Sequence, residues 1–263
     1  MNIDNIPVSA MICMAFEALF GILLPFAAAF FWYKKKKSGI IPMLIGAATF
    51  FAAAVVLEGI FHALFLVVIT PVADFINSNF LVYVLYGSFM AGIFEETGRF
   101  VSFKLIKKRC NTFDDAVAFG IGHGGFECAY VRGIGVGSYI VMALLINLGL
   151  GNLIFADMTE AEIAMAEPIF ENIASITPWV AFAAIAERIS AMTFHICNSV
   201  IVFNGVKNGK ISRLFIAIFA HGAFNMVALI LNEYCGILVT EAALFAFASF
   251  LAYYIFKIKK GEI

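Results

Sequence analysis

Charge is scarce in this chain. Asp, Glu, Lys and Arg together make up 13% of its 263 residues, against 63% that are hydrophobic. That balance excludes an ordinary soluble domain, which could not hide so much apolar surface. Paired cysteines are missing as well. Cys13, Cys110, Cys128, Cys197 and Cys235 show no C-x-x-C spacing, which argues against a disulfide framework or a thiolate metal site and leaves five apolar fillers. No basic segment precedes the first apolar stretch, which begins shortly after Asp4, so that stretch reads as a retained span rather than a cleavable signal. Internal repeats and low-complexity tracts are absent. The net charge of −1 points to no nucleic acid or acidic partner, and only the order of signs along the chain is informative.

What the sequence does have is runs of roughly 20 apolar residues between short charged stretches, the length an α-helix needs to cross ~30 Å of hydrocarbon. The class is therefore all-α, a polytopic transmembrane helical bundle of roughly 7–8 spans. It reads as one integral-membrane domain over residues 1–263, with the lipid bilayer as its first partner. A span at about 7–33 meets Lys34, Lys35, Lys36 and Lys37, which the positive-inside rule puts in the cytoplasm, so the N-terminus lies outside. A second span at about 40–70 returns to an outer loop marked by Pro71, Asp74 and Asn77. A third at about 80–103 is closed by Lys104, Lys107, Lys108 and Arg109, and a short glycine-rich fourth at about 116–131 starts from a cap at Thr112 or Asp114.

Beyond it, 133–155 is apolar enough to cross, whereas the acidic 158–176 reads as a surface helix or loop. The span at about 178–203 must run inward to Lys207, Lys210 and Arg213. An even number of crossings is then needed between Val131 and Pro178, so the pattern predicts that 133–155 is re-entrant or broken, or that part of 158–176 also penetrates. Spans at about 214–231 and 237–256 end at Lys257, Lys259 and Lys260. The C-terminus is then cytoplasmic, and the chain is a multi-pass protein of the cell's inner, cytoplasmic membrane.

Each charge inside a span costs about 2.5–3.5 kcal/mol on insertion scales and needs a reason. The third span carries Glu95, Glu96 and Arg99, two carboxylates within helical reach of one guanidinium. One Glu neutralises Arg99 as a structural pair, and the other is left over to act as a base. In F-G-I-G-H-G-G-F-E, His123 and Glu127 share a face at i+4, and the surrounding glycines allow another backbone to approach closely. Later spans add Glu187, Arg188 and His195, then His221 and Asn225 one turn apart. A lone intramembrane histidine is ordinarily a hydrogen-bonded packing residue, but three of them beside a paired carboxylate outweigh that reading.

Depth sharpens the point. At ~1.5 Å per residue, Glu95 counted from Lys104, His123 from Asp114 and His221 from Arg213 all lie roughly 12–13 Å from the cytoplasmic boundary. His195 and Asn225 come out slightly deeper, at about 18 Å. The four groups Glu95, His123, His195 and His221 are thus expected in one cavity, with His62 apart. Glu17, Glu58, His62, Glu187 and Arg188 form a second polar layer nearer the outside, read first as structural pairing or a water path and otherwise as support for the site.

In order, E-E-x-x-R, F-x-x-x-H-G-G-x-E, E-R-x-x-A-x-x-x-H and H-x-x-x-N occupy about residues 80–225, and together they resemble the YhfC family of intramembrane peptidases. More distantly the chain is similar to the CAAX prenyl endopeptidase and bacteriocin-processing superfamily and to the PrsW proteases. The resemblance implies that Glu95 activates water, that Glu96 and Arg99 support the site, and that His123, His221 and Asn225 line the catalytic cavity. His195 belongs to the motif of the YhfC and PrsW groups. The CAAX enzymes have three residues between the second Glu and the Arg; here there are two, Thr97 and Gly98, which puts the role of Arg99 in question.

Peptide hydrolysis needs a base for water and a donor for the tetrahedral oxyanion. Asn225 and a histidine can supply the donors. Two versions stay open: a metal-free glutamate mechanism that requires no cofactor, which the residues favour slightly, and a zinc site built from His123, His221 and Glu95. The substrate expected is a membrane-embedded or membrane-proximal peptide. From another class, a proton- or ion-coupled transporter or channel would use the same Glu, His and Arg layer, but such proteins commonly show repeated halves and this chain shows none. A non-catalytic membrane scaffold is the third reading, against which the complete set of motifs speaks.

Overall fold

The computed structural model describes residues 5–36, 39–156 and 158–261. Asp4 and Lys37, used above, lie outside the described residues. Every regular element among the described residues is helical, as a chain in lipid requires when its backbone groups have no water to bond. Contacts divide the chain into two compact units, Met1–Leu24 with Cys128–Arg188, and Pro25–Glu127 with Ile189–Ile263. The divisions fall inside three long helices, one of them at Pro25, where the ring removes a helical donor.

Among the described residues six helices are long and apolar enough to cross a membrane: Val8–Lys36, Ile40–Val68, Phe113–Asn147, Pro178–Asn208, Ser212–Cys235 and Ile237–Lys260. Thr70–Asn77 and Phe80–Ile106, bent by 110° at their junction, supply a seventh if counted as one span. The first helix closes at Ser78, and Asn79 caps the next: its Oδ1 accepts from Leu81 N at 3.0 Å and Val82 N at 3.2 Å. Pro71, at the start of Thr70–Asn77, begins a helix where the sequence suggested a loop.

The break predicted within 133–155 falls at 148–151, between the helices that end at Asn147 and begin at Asn152, and not directly after Val131. Phe113–Asn147 is one continuous helix that widens into a π-helical stretch at Ala129–Val136. No proline lies between Pro71 and Pro168, so no backbone donor is lost there, and the glycines are accommodated by widening rather than by a break. The expected spans 116–131 and 133–155 are therefore joined as far as Asn147, and no crossing follows before Pro178. Asn152–Phe155 and Glu160–Ala174 are too short to cross ~30 Å at ~1.5 Å per residue.

In the first unit an apolar cluster of Ile6, Ala10, Met14, Val136, Ala143, Phe170 and Ile173 forms the core. Asn147 ties the chain start to it, accepting from Ile6 N at 2.7 Å and donating to Ile6 O at 2.9 Å. In the second unit, small residues let helices meet at backbone distance. Gly122 lies against the Met43 carbonyl with no room for a side chain, and a Cβ at Gly124 would stand 2.8 Å from His195 Cβ. Phe103 stacks against Phe119 with centroids 4.3 Å apart. The Pro178–Asn208 helix is 72% buried over its apolar window, against 17–33% in the other five single-helix spans. Those five keep apolar flanks such as Phe26, Phe219 and Phe250 exposed, as lipid contact requires. Cys13, Cys110, Cys128 and Cys197 are buried, and Cys235 is exposed. In the loop after Phe80–Ile106, burial and the nearby Asp115 push the Cys110 thiol up to about 12, which keeps it unreactive.

Candidate active site

Four helices bring the site together. Phe80–Ile106 presents Glu95, Glu96 and Arg99 on one buried face. Phe113–Cys128 contributes His123 and Glu127, and Pro178–Asn208 contributes His195. Ser212–Cys235 contributes His221, and close contact at Gly92, whose Cβ would meet the Ile218 carbonyl at 2.8 Å, brings that histidine onto the carboxylates. Glu95, Glu96, Arg99, His123, His195 and His221 are all at most 5% exposed, so each polar atom must find its partner within the protein.

Hydrogen bonds determine how each imidazole is turned. Arg99 Nη2 lies 2.6 Å from His195 Nδ1. A guanidinium only donates, so Nδ1 carries the lone pair and Nε2–H faces Glu127, with which it pairs. His221 Nδ1 lies 2.8 Å from Glu96 Oε1 and donates to it; its Nε2 lone pair then faces Glu95 Oε1 at 3.8 Å. His123 Nε2 donates to Glu95 Oε2 at 2.8 Å, and its Nδ1 has no partner among the described residues. Arg99 Nη1 pairs with Glu96, and Nη2 stands 3.5 Å from Glu95 Oε2. Neighbouring imidazole centroids are 5.3–5.4 Å apart.

Two histidines therefore hold a carboxylate on one nitrogen and turn the other toward Glu95, the arrangement that orients metal-binding imidazoles. Glu95, His195 and His221 each offer a ligand atom within 4.8 Å of the others. His195 Nδ1 is 3.8 Å from Glu95 Oε2, as His221 Nε2 is from Oε1, against about 3.3 Å between ligands on a tetrahedral zinc with ~2.0 Å bonds. Small side-chain movements close that gap. Charge gives a second test of fit: when ionised, Glu95 and Glu96 set two negative charges against the single guanidinium of Arg99. One is left over in a dry cluster, and a divalent cation would neutralise it. Arg99 Nη2 already rests on one of the lone pairs such a cation would use.

Of the trio considered from sequence for zinc, Glu95 and His221 have this spacing and His123 does not. Its Nε2 proton is committed to Glu95, and His195 takes its place. Glu127 lies against His195. Asn225 is half-buried, one turn from His221, and makes no hydrogen bond among the described residues. His62 stands elsewhere, with Nε2 3.0 Å from Glu58 and Nδ1 3.1 Å from Tyr86. Glu187 and Arg188, offered as support, pair with each other in the first unit, where Arg132 bonds Glu187 at 2.7 Å and Glu17 at 3.3 Å. That group has two charges of each sign.

Sequence reasoning missed Arg132, which lies inside an apolar run with no charged neighbour at helical spacing. It also missed Asn198, fully buried, whose Nδ2 donates to Glu96 Oε1 at 3.0 Å. The available signal for Asn198 was its place three residues after His195, on the same helical face.

A family model described as "YhfC intramembrane metalloprotease" matches residues 20–246. The chain is 35% identical over 184 residues to "Uncharacterized membrane protein YhfC" of Bacillus subtilis (strain 168), covering 68% of this chain and 69% of that protein. No solved structure matches.

Proposed function

Because the chain belongs to the YhfC family of intramembrane metalloproteases, we propose that it is an endopeptidase whose buried Glu95, His195 and His221 hold a divalent metal ion and hydrolyse a peptide bond in or near the membrane. The observation that carries this is the charge left over in the cluster, together with two imidazole lone pairs turned to one carboxylate. A bound ion would lower the pKa of a coordinated water and polarise the substrate carbonyl.

The protein's own groups divide the remaining work. Glu95 Oε2 is held by His123, while Oε1 has no hydrogen bond among the described residues and accepts the proton of the attacking water. Glu96 and Glu127 keep His221 and His195 in the orientation that turns their inner nitrogens toward Glu95, with Arg99 resting on that of His195. Asn225, without a partner, donates to the developing oxyanion. The enclosing apolar helices exclude bulk water, which strengthens each of these interactions.

Purified protein is expected to carry a stoichiometric divalent metal by elemental analysis, lost in His195→Ala and His221→Ala and retained in His123→Ala. The opposite pattern, with the ion lost on replacing His123 and kept without His195, would overturn this ligand set.

Orientation follows from the basic helix ends at Lys34, Lys104, Lys207 and Lys257, which place the N-terminus outside and the C-terminus in the cytoplasm. Single cysteines introduced beside Lys207 and Lys257 in an otherwise cysteine-free chain are then expected to resist a membrane-impermeant thiol reagent in intact cells. Labelling from outside would reverse the scheme.

A further inference from the structure

We propose that Asn198 is a positioning residue of this site, locking Glu96 to the helical turn that carries His221, an inference that rests on the metal reading above. Asn198 is 0% exposed on the Pro178–Asn208 helix. Its Nδ2 makes two hydrogen bonds, to Glu96 Oε1 at 3.0 Å and to the Ala217 carbonyl at 3.1 Å. Both partners are acceptors, so the amide nitrogen rather than the oxygen must face them.

Ala217 is not an arbitrary anchor. It stands four residues before His221, so its carbonyl is the helical acceptor for the His221 backbone N–H. One amide thus grips the carboxylate that accepts from His221 Nδ1, and also the turn from which that histidine projects. Glu96, His221 and Asn198 come from three different helices, and the Nδ2 pair of bonds holds their separation.

Without the amide, Glu96 keeps Arg99 on the same oxygen and is free to turn toward that guanidinium. The His221 ring, bonded to Glu96 through Nδ1, turns with it, and its Nε2 lone pair leaves the line to Glu95. Outer partners of this kind change metal affinity or activity by about 10–100-fold when removed. Asn198 touches neither substrate nor ion in this scheme; it acts through Glu96.

The test is Zn²⁺ affinity measured on full-length protein in detergent by competition with a chromophoric chelator. Asn198→Ala is expected to weaken binding about 10–100-fold, and Asn198→Ser, which keeps one donor, to fall between it and wild type. Ser199→Ala is the control: it removes a neighbouring hydroxyl of equal burial that bonds the His195 carbonyl, and wild-type affinity is expected. Wild-type affinity in folded Asn198→Ala or Asn198→Ser would overturn the proposal, as would an equal loss in Ser199→Ala. If wild type itself binds no Zn²⁺, the metal reading falls separately and peptide cleavage decides. A kcat lowered about 10–100-fold at unchanged KM upholds the role of Asn198, and an unchanged kcat removes it.

Discussion

Glu95→Gln is expected to lower peptide cleavage by roughly 10²–10⁴-fold, the span attributed to a positioned general base, while leaving the protein folded and inserted. Glutamine keeps the size of the carboxylate and an oxygen to accept the His123 Nε2–H, now 2.8 Å from Glu95, but it cannot take a proton from water. Arg99 still has Glu96, its i−3 partner, which is why the fold survives. Loss of the negative charge also weakens the ligand set, so metal content and cleavage should fall together. Both are read on the same purified sample, with elution volume on size exclusion as the check on folding. Near wild-type cleavage by Glu95→Gln would show that Glu95 is not the base, and Glu96 would be the next residue to replace. If the two single variants and the double variant all cleaved normally, the hydrolytic site would lie elsewhere, and the Glu, His and Arg cluster would revert to transport or scaffolding.

Removing Arg99 is expected to have the largest effect on stability. Its side chain is 0% exposed and meets Glu95, Glu96 and His195 at once. Arg99→Met leaves two adjacent carboxylates buried without a counter-charge, and breaking a buried pair from one side costs about 3–5 kcal/mol. Arg99→Lys should rescue little, because a single ammonium cannot reproduce a planar fork that reaches three partners. Adding Glu96→Gln to Arg99→Met removes one of the stranded charges and should recover part of the loss. Thermal unfolding in detergent, followed by the size-exclusion peak, measures all four proteins. An Arg99→Met variant that melts with wild type would mean that the carboxylates do not depend on the guanidinium, and the charge argument for the metal would lose its footing.

Much of this was legible in sequence because helices in lipid are constrained along one axis. Runs of apolar residues bounded by lysines located the spans, and a rise of ~1.5 Å per residue put Glu95, His123 and His221 at one depth before any contact was known. The errors came elsewhere. Separate spans were expected at 116–131 and 133–155, but with no proline to remove a donor the helix widened and continued to Asn147. Pro71 looked like a loop and starts a short helix.

By itself the sequence determined the class, most of the apolar spans and the motif residues, since hydrophobic length is a property of one chain segment at a time. Only the tertiary structure decided that His195 rather than His123 shares the ligand spacing of Glu95 and His221, that Asn198 bonds Glu96, and that Glu187 pairs with both Arg132 and Arg188. Spacing within a helix sets depth and rotation relative to that helix alone. Which lone pairs meet, and whether the charges they surround sum to zero, depends on how neighbouring helices are turned and how closely glycines such as Gly92 and Gly124 let them approach.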